Sequence, residues 1–397
     1  MDLNNTKFFN NTIIKFILIF TTICTSGHVI QTLNFSYQIW VYLSAVIVCI
    51  PVFNEYSNKK LNVCNSSLLI FSVMILSTMI VNLGSGRYTY ILMLFTIFVA
   101  YGITYIYGFE KIIPVYLNIM TVVSAISLLG HFLANNTTML DFLPLAENNN
   151  GFEYKLGYIF NYITILPERN CGMFWEPGLF ATHLAFSFIL EIVFKNSKTS
   201  FIRILLFTAA MITTNSSAGF VLLILCWGLI LVKERKASPT KPFWQIMSII
   251  AFVLLIMVVL NLDSIIENSS LANNEYVAKL LSENVEEQSR IKAISHNLSQ
   301  FARNPLFGIG FTEAWANIKH VADTSTTTFL LSVFGFLGGF YTIFWIYGIF
   351  KMRDINIFTK ILLVSIIMSI INKEPHQTIL FTWVLMFCFL KKAQSSK

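Results

Sequence analysis

Apolar residues in this chain fall in blocks of about 20, separated by short polar gaps. A helix of that length rises about 30 Å, the thickness of a bilayer's hydrocarbon core. The pattern predicts about twelve helical spans, over residues 11–30, 35–53, 66–83, 88–107, 112–134, 174–194, 200–214, 216–232, 243–262, 326–350, 356–372 and 375–390. The seventh is short, so the pair over 200–232 also reads as a broken or re-entrant hairpin. Only Lys7 stands before the opening apolar block, and no clear small-residue cleavage site follows, so a signal peptide is not expected.

Two longer stretches interrupt the pattern. Residues 135–173 are Asn-rich and carry Asp141, Glu147, Glu153 and Glu168. Residues 263–325 include Val277, Leu280, Leu281 and Val285, then Ile291, Ile294, Leu298 and Phe301. Steps of three and four predict a helix with one apolar face, lying along the membrane-water boundary. The expected fold class is all-α: one polytopic transmembrane domain over residues 1–397, with two long outer loops carrying short interfacial helices. Neither loop is long enough for a core of its own. Chemistry must therefore use loop residues and span ends at the membrane surface.

Composition narrows the class. Apolar residues make up 55% of the chain and charged residues 12%, which excludes a soluble enzyme, a disordered chain and a disulfide scaffold. The net charge of +7 does not argue for nucleic acid, because the basic residues are segregated. With the N-terminus inside, the inner loops hold Lys59, Lys60, Lys111, Lys195, Lys198, Arg203, Lys233, Arg235, Lys236, Lys241, Lys351, Arg353 and Lys360, and the tail adds Lys391, Lys392 and Lys397. The short outer loops hold only Arg87 and Lys373. This asymmetry supports both termini on the cytoplasmic side. Only Cys171 faces out in that topology, so no outer intramolecular disulfide is expected.

No Walker-type phosphate loop, HExxH, Cys-x-x-Cys, Asp-x-Asp or Gly-x-Ser-x-Gly occurs in the sequence. Neither a metal nor a cofactor is expected. Charged residues deep in the spans are few, which argues against a transporter with an ionisable mid-depth site. What remains is a set of polar residues at outer span ends.

The first set is Arg169-Asn-Cys-Gly-Met-Phe-Trp175-Glu176-Pro177-Gly178. Pro177 suits a first helical turn, and the plain reading makes Glu176 its N-cap. His183, two turns on, reads as a satisfied interior histidine. The second set runs from Arg290 to Asn304-Pro305-Leu306-Phe307-Gly308-Ile309-Gly310, where the Asn-Pro and glycines predict a helix-stopping turn. Arg290 suits bidentate phosphate binding, lipid headgroups, or a pair with Glu286 or Glu287. Asp323 to Thr328, leading into Gly335-Phe-Leu-Gly338-Gly339, is a hydroxyl-capped helix start or a polar cradle for a sugar. Lys373-Glu374-Pro375-His376 is an ordinary outer turn whose His376 and Glu374 are also suited to proton transfer.

Together these motifs resemble those of the bacterial O-antigen polymerases of the Wzy type and the related O-antigen ligases. The resemblance rests on Arg169…Gly172…Phe174-x-Glu176-Pro177, on Arg290…Asn304-Pro305-Leu306-x-Gly308-x-Gly310, and on Phe329-Leu330 followed by Gly335-x-x-Gly338. It implies an inner-membrane glycosyltransferase acting at the periplasmic face. Donor and acceptor are undecaprenyl-diphosphate-linked glycans, with membrane lipids and a chain-length regulator protein as further partners and no nucleic acid. Arg169, Glu176 and Arg290 are the implied catalytic residues. Substrate contacts are expected from Trp175, Arg303, His320, Asp323, Thr326 and His376, and Trp315 is a further sugar-stacking candidate. The ligases carry a histidine just before the span at 326–350, where this chain has Thr326, and this departure favours the polymerase. The alternatives are the ligase and, from another class, a lipid-linked sugar flippase or transporter.

Overall fold

The computed structural model describes residues 12–30, 63–82, 86–147, 152–194, 200–234, 290–318, 325–373 and 376–395. Most of them are helical. The helices are α1 (Thr12–Cys24), α2 (Val63–Val81), α3 (Arg87–Asn136), α4 (Pro177–Ile189), α5 (Phe201–Thr213), α6 (Ser217–Glu234), α7 (Arg290–Arg303), α8 (Gly310–Ile318), α9 (Thr326–Phe334), α10 (Phe340–Lys351), α11 (Ile357–Ile371) and α12 (Leu380–Ser395). The expected spans at 35–53 and 243–262, and the start of the amphipathic stretch at 276–289, lie outside the described residues.

Among the described residues, three stretches are long and apolar enough to cross a membrane: Arg87–Asn136, Pro177–Phe194 and Thr326–Lys351. α3 is two helices broken at Gly108, with φ 66 and ψ 172, and both halves pack on α12, Tyr101 against Phe387 and Tyr116 against Phe381. The break falls in the gap expected between 107 and 112. Large apolar side chains point outward from several helices, with Ile202 77% and Phe358 70% exposed. Such a surface suits lipid rather than water.

The centre of the bundle is α4 and the first eleven residues of α12, over 380–390, all of them buried. Both are apolar all round, as a helix must be when neighbours surround it. Trp383 meets Tyr341 at 4.8 Å and Phe71 at 4.9 Å between ring centres. At one end Phe109, Phe194 and Phe389 pack together within 6.0 Å of one another. That end also gathers basic residues. Lys391 donates to the Thr104 and Tyr105 carbonyls at 3.1 Å, where the first half of α3 stops. Lys392 pairs with Glu110 at 3.0 Å. Arg203 joins the fully buried Glu191 at 3.3 Å and Asn118 at 2.6 Å, and Glu191 also accepts from the Ser200 backbone at 2.6 Å.

One expectation is refined and one is corrected. The span expected at 326–350 does not run straight. Gly335, at φ 64, ends α9, and the chain doubles back through Gly335–Gly339 into α10. The Thr327 and Thr342 hydroxyls consequently meet at 3.0 Å, where a straight helix would hold them about 22 Å apart. A side chain at Gly335 would strike the Pro305 carbonyl at 2.4 Å, and one at Gly308 the Val333 carbonyl at 2.2 Å. The turn after α7 and the break after α9 thus press backbone against backbone, which only glycine permits. The first loop carries no interfacial helix among its described residues. It forms a three-stranded antiparallel meander, β1 (Leu145–Glu147), β2 (Glu153–Leu156) and β3 (Asn161–Ile163). Tyr154, Leu156 and Ile163 bury one face against Val29 and Cys171.

Candidate functional site

The end opposite the basic cluster is where α4 begins, α5 ends, and α11 turns into α12. The segment 169–176 is threaded across it by backbone bonds. Asn170 is fully buried, and its side-chain amide donates to Thr213 Oγ1 at 2.9 Å and Ser127 Oγ at 3.3 Å. Its Oδ1 accepts from the Gly172 amide at 2.9 Å. The Gly172 carbonyl accepts from the backbone and side chain of Asn161 on β3. On the other side, Val29 donates to Met173 and Trp175 donates to Gly27, each at 3.1 Å, with His28 bridging Phe174. Trp175 is half-buried against the main core. Its carbonyl accepts from the Tyr154 hydroxyl at 2.7 Å.

This scaffold places Arg169 and Glu176, both half-buried, within electrostatic reach of Cys171. Burial raises the Cys171 thiol to about 12. The Arg169 charge opposes that rise and the Glu176 charge adds to it. A positive and a negative group therefore act on the same small volume. Glu176 is the residue before α4, with extended backbone at φ −150 and ψ 153, as a residue before proline prefers. It does not cap the helix, which corrects the expectation. Its side chain makes no cap hydrogen bond, and it forms no ion pair with another described residue. Capping favours Ser, Thr, Asp and Asn, whose shorter side chains reach the first turn.

A second cluster lies alongside. Thr326 is buried at the start of α9. Its hydroxyl accepts from the His376 backbone amide at 2.7 Å and donates to Gln377 Oε1 at 3.2 Å. His376 is buried in the turn between α11 and α12, with Nδ1 3.0 Å from the Thr382 hydroxyl and Nε2 without a partner. Lys373, 4% exposed, donates to the Gly178 carbonyl in the first turn of α4 at 2.7 Å. It and His183 lie within electrostatic reach of His376. Lys373 therefore ties this cluster to the helix that Glu176 precedes. No known family model matches the sequence, and it matches no curated protein. The site accordingly stands on its own residues.

Not every expected residue is brought in. Arg303 is exposed on the last turn of α7, where a cation suits the helix dipole. Arg290 begins α7, 13 residues earlier and about 20 Å away along the helix. His320 and Asp323 lie outside the described residues, as does the Arg290 side chain. Trp315 on α8 is 48% exposed and 6.4 Å from the Phe329 ring. His183 is only half satisfied. Its Nδ1 is 3.2 Å from the Tyr116 hydroxyl and its Nε2 has no partner.

Sequence reasoning named Lys373 and Asn170 without giving either a role, and passed over Asn297 and Gln300. Lys373 carried a signal: it is one of two basic residues that break the charge asymmetry. Asn297 and Gln300 carried none, because the apolar positions of α7 drew attention to a neighbouring face. Ala293, Asn297 and Gln300 are the buried positions, whereas Leu298 is 43% exposed.

Proposed function

We propose that this protein polymerises polyprenyl-diphosphate-linked oligosaccharide repeat units, with the loop end of the bundle at the outer face of the bacterial cytoplasmic membrane. In this reading the chain crosses the membrane about twelve times and both termini are cytoplasmic, as the charge asymmetry indicates. The observation that carries the reading is that the Arg169 charge and a Glu176 carboxylate not used as a helix cap both act on Cys171. A glycosyl diphosphate already has a good leaving group, so the protein need only stabilise the negative charge growing on it. Arg169 and Arg290 suit that task, because a guanidinium meets phosphate oxygens through two parallel hydrogen bonds. Glu176 orients and deprotonates the acceptor hydroxyl, which then attacks the anomeric carbon as the diphosphate departs. Thr326, His376 and Trp175 contribute the hydroxyl, imidazole and ring surface a glycan requires.

One observation favours a second reading, a lipid-linked sugar flippase. The stretch Thr326–Lys351 is discontinuous, and broken helices line transport sites in several membrane carriers. Deleting the gene and separating the surface glycolipid on a gel decides between the readings. Collapse of the ladder to core plus one repeat identifies a polymerase. Core without repeats, with polymer accumulating on its carrier, identifies a ligase. Loss of all repeats, with single units stranded on the inner leaflet, identifies a flippase and overturns the proposal.

A further inference from the structure

Helix α7 lies on α9 with its polar face inward. Asn297 is fully buried and Gln300 is 3% exposed. The Asn297 amide donates to Thr328 Oγ1 at 3.2 Å, and Gln300 Nε2 is 2.7 Å from His296 Nε2. Each side chain keeps one polar atom without a partner, Asn297 Oδ1 and Gln300 Oε1. Turning either amide over exchanges its oxygen and nitrogen but still leaves one atom over. Buried polar atoms are otherwise satisfied almost everywhere in folded proteins. Leucine at either position would fill similar space with no polar atom to satisfy. Two leftover amide atoms, three residues apart on one face, mark a place shaped for a ligand's hydrogen bonds.

The surrounding chemistry fixes the ligand class. The partners at hand are neutral amides and hydroxyls: Asn297, Gln300, Thr328 and Ser325, whose Oγ accepts from Thr328 at 2.8 Å. Such a set recognises a polyhydroxylated ring rather than an anion. Arg290 lies two helical turns before Asn297 along α7. We infer that the buried face of α7 formed by Asn297 and Gln300 seats a sugar ring of the lipid-linked glycan. This inference rests on the reading above that the protein handles such a glycan.

The test uses the full-length protein in lipid nanodiscs. The probe is the mixture of oligosaccharides released from the surface polysaccharide of the cell that carries the gene, with binding followed by calorimetry. The unaltered protein is expected to bind in the millimolar range or tighter. Asn297→Leu combined with Gln300→Leu should weaken binding at least tenfold, while the thermal midpoint stays the same or rises. Equal affinity in the double variant, or no binding by the unaltered protein, overturns the inference. Should the double variant not be recovered folded, Gln300→Leu alone carries the same two outcomes. Polymer made normally by Arg169→Ala and Arg290→Ala cells, with saccharide binding still dependent on Asn297 and Gln300, would remove the polymerase and leave the sugar seat. Loss of polymer in those cells, with binding indifferent to both side chains, would do the reverse.

Discussion

The two ends of the bundle handle polar groups in opposite ways. At the basic end, charges are matched: Glu191 holds Arg203 and the Ser200 amide, Lys391 closes off the carbonyls before Gly108, and Lys392 meets Glu110. The Tyr107 hydroxyl and Trp345 Nε1, beside Phe389, are exceptions there, buried without partners. At the loop end, His183, His376, Gln377, Asn297 and Gln300 each keep an unsatisfied atom, and Glu176 sits beside a helix start it does not cap. One end is finished as architecture, whereas the other departs from local rules in a cluster, as functional sites do.

The largest effect should follow from attacking the loop end. Arg169→Ala and Arg290→Ala are expected to abolish polymer on a surface-glycolipid gel, with protein levels unchanged on an immunoblot. Arg→Lys at either position should also be impaired, because a compact ammonium cannot replace a planar fork. Full polymer in both Lys variants would count against bidentate diphosphate binding.

Glu176 sharpens the contrast between use and support. Glu176→Gln should lower polymer formation by about 10²-fold or more. Removing a true cap would cost about 1 kcal/mol; here the unfolding midpoint in detergent should barely move. At the basic end the pattern inverts. Glu191→Ala leaves the Arg203 guanidinium and the Ser200 amide without their shared acceptor, and should destabilise the fold by about 3 kcal/mol. Polymer per folded molecule should stay normal. A Glu191 variant that folds normally yet makes no polymer would dissolve the distinction between the ends.

The smallest effect concerns Cys171. Burial holds its thiol at about 12, so almost no thiolate exists at pH 8, and thiolate is the reactive form. A variant retaining Cys171 as its sole cysteine should resist maleimide at pH 8 and label only once unfolded. Rapid labelling of the folded protein would show the segment 169–176 to be looser than its hydrogen bonds imply.

The sequence patterns made much of the helical layout legible, because blocks of apolar residues with short gaps have few other solutions. The breaks were less legible. Gly108 fell in an expected gap, so its kink joined two spans already separated. Gly335 lay inside an unbroken apolar run, and hydropathy does not register a backbone that doubles back. The meander in the first loop has strands of three and four residues, too short for alternation to emerge. Arg169 and Glu176 were found through their motif. The Glu176 cap was misjudged because helix position was weighed without side-chain length. On α7 the regular apolar spacing was visible, yet the inward face proved to be the polar one.

The backbone bridge between His28 and Phe174 has a consequence for how the molecule comes into being. Those two residues stand 146 positions apart (174 − 28) in the chain. Everything from α2 to the meander must be synthesised before the strip after α1 can find its mate. Contacts that far apart form late and slowly. The end of α1 therefore waits for its partner through a large share of translation, and the segment that carries Arg169 and Glu176 takes its final form only when that wait is over.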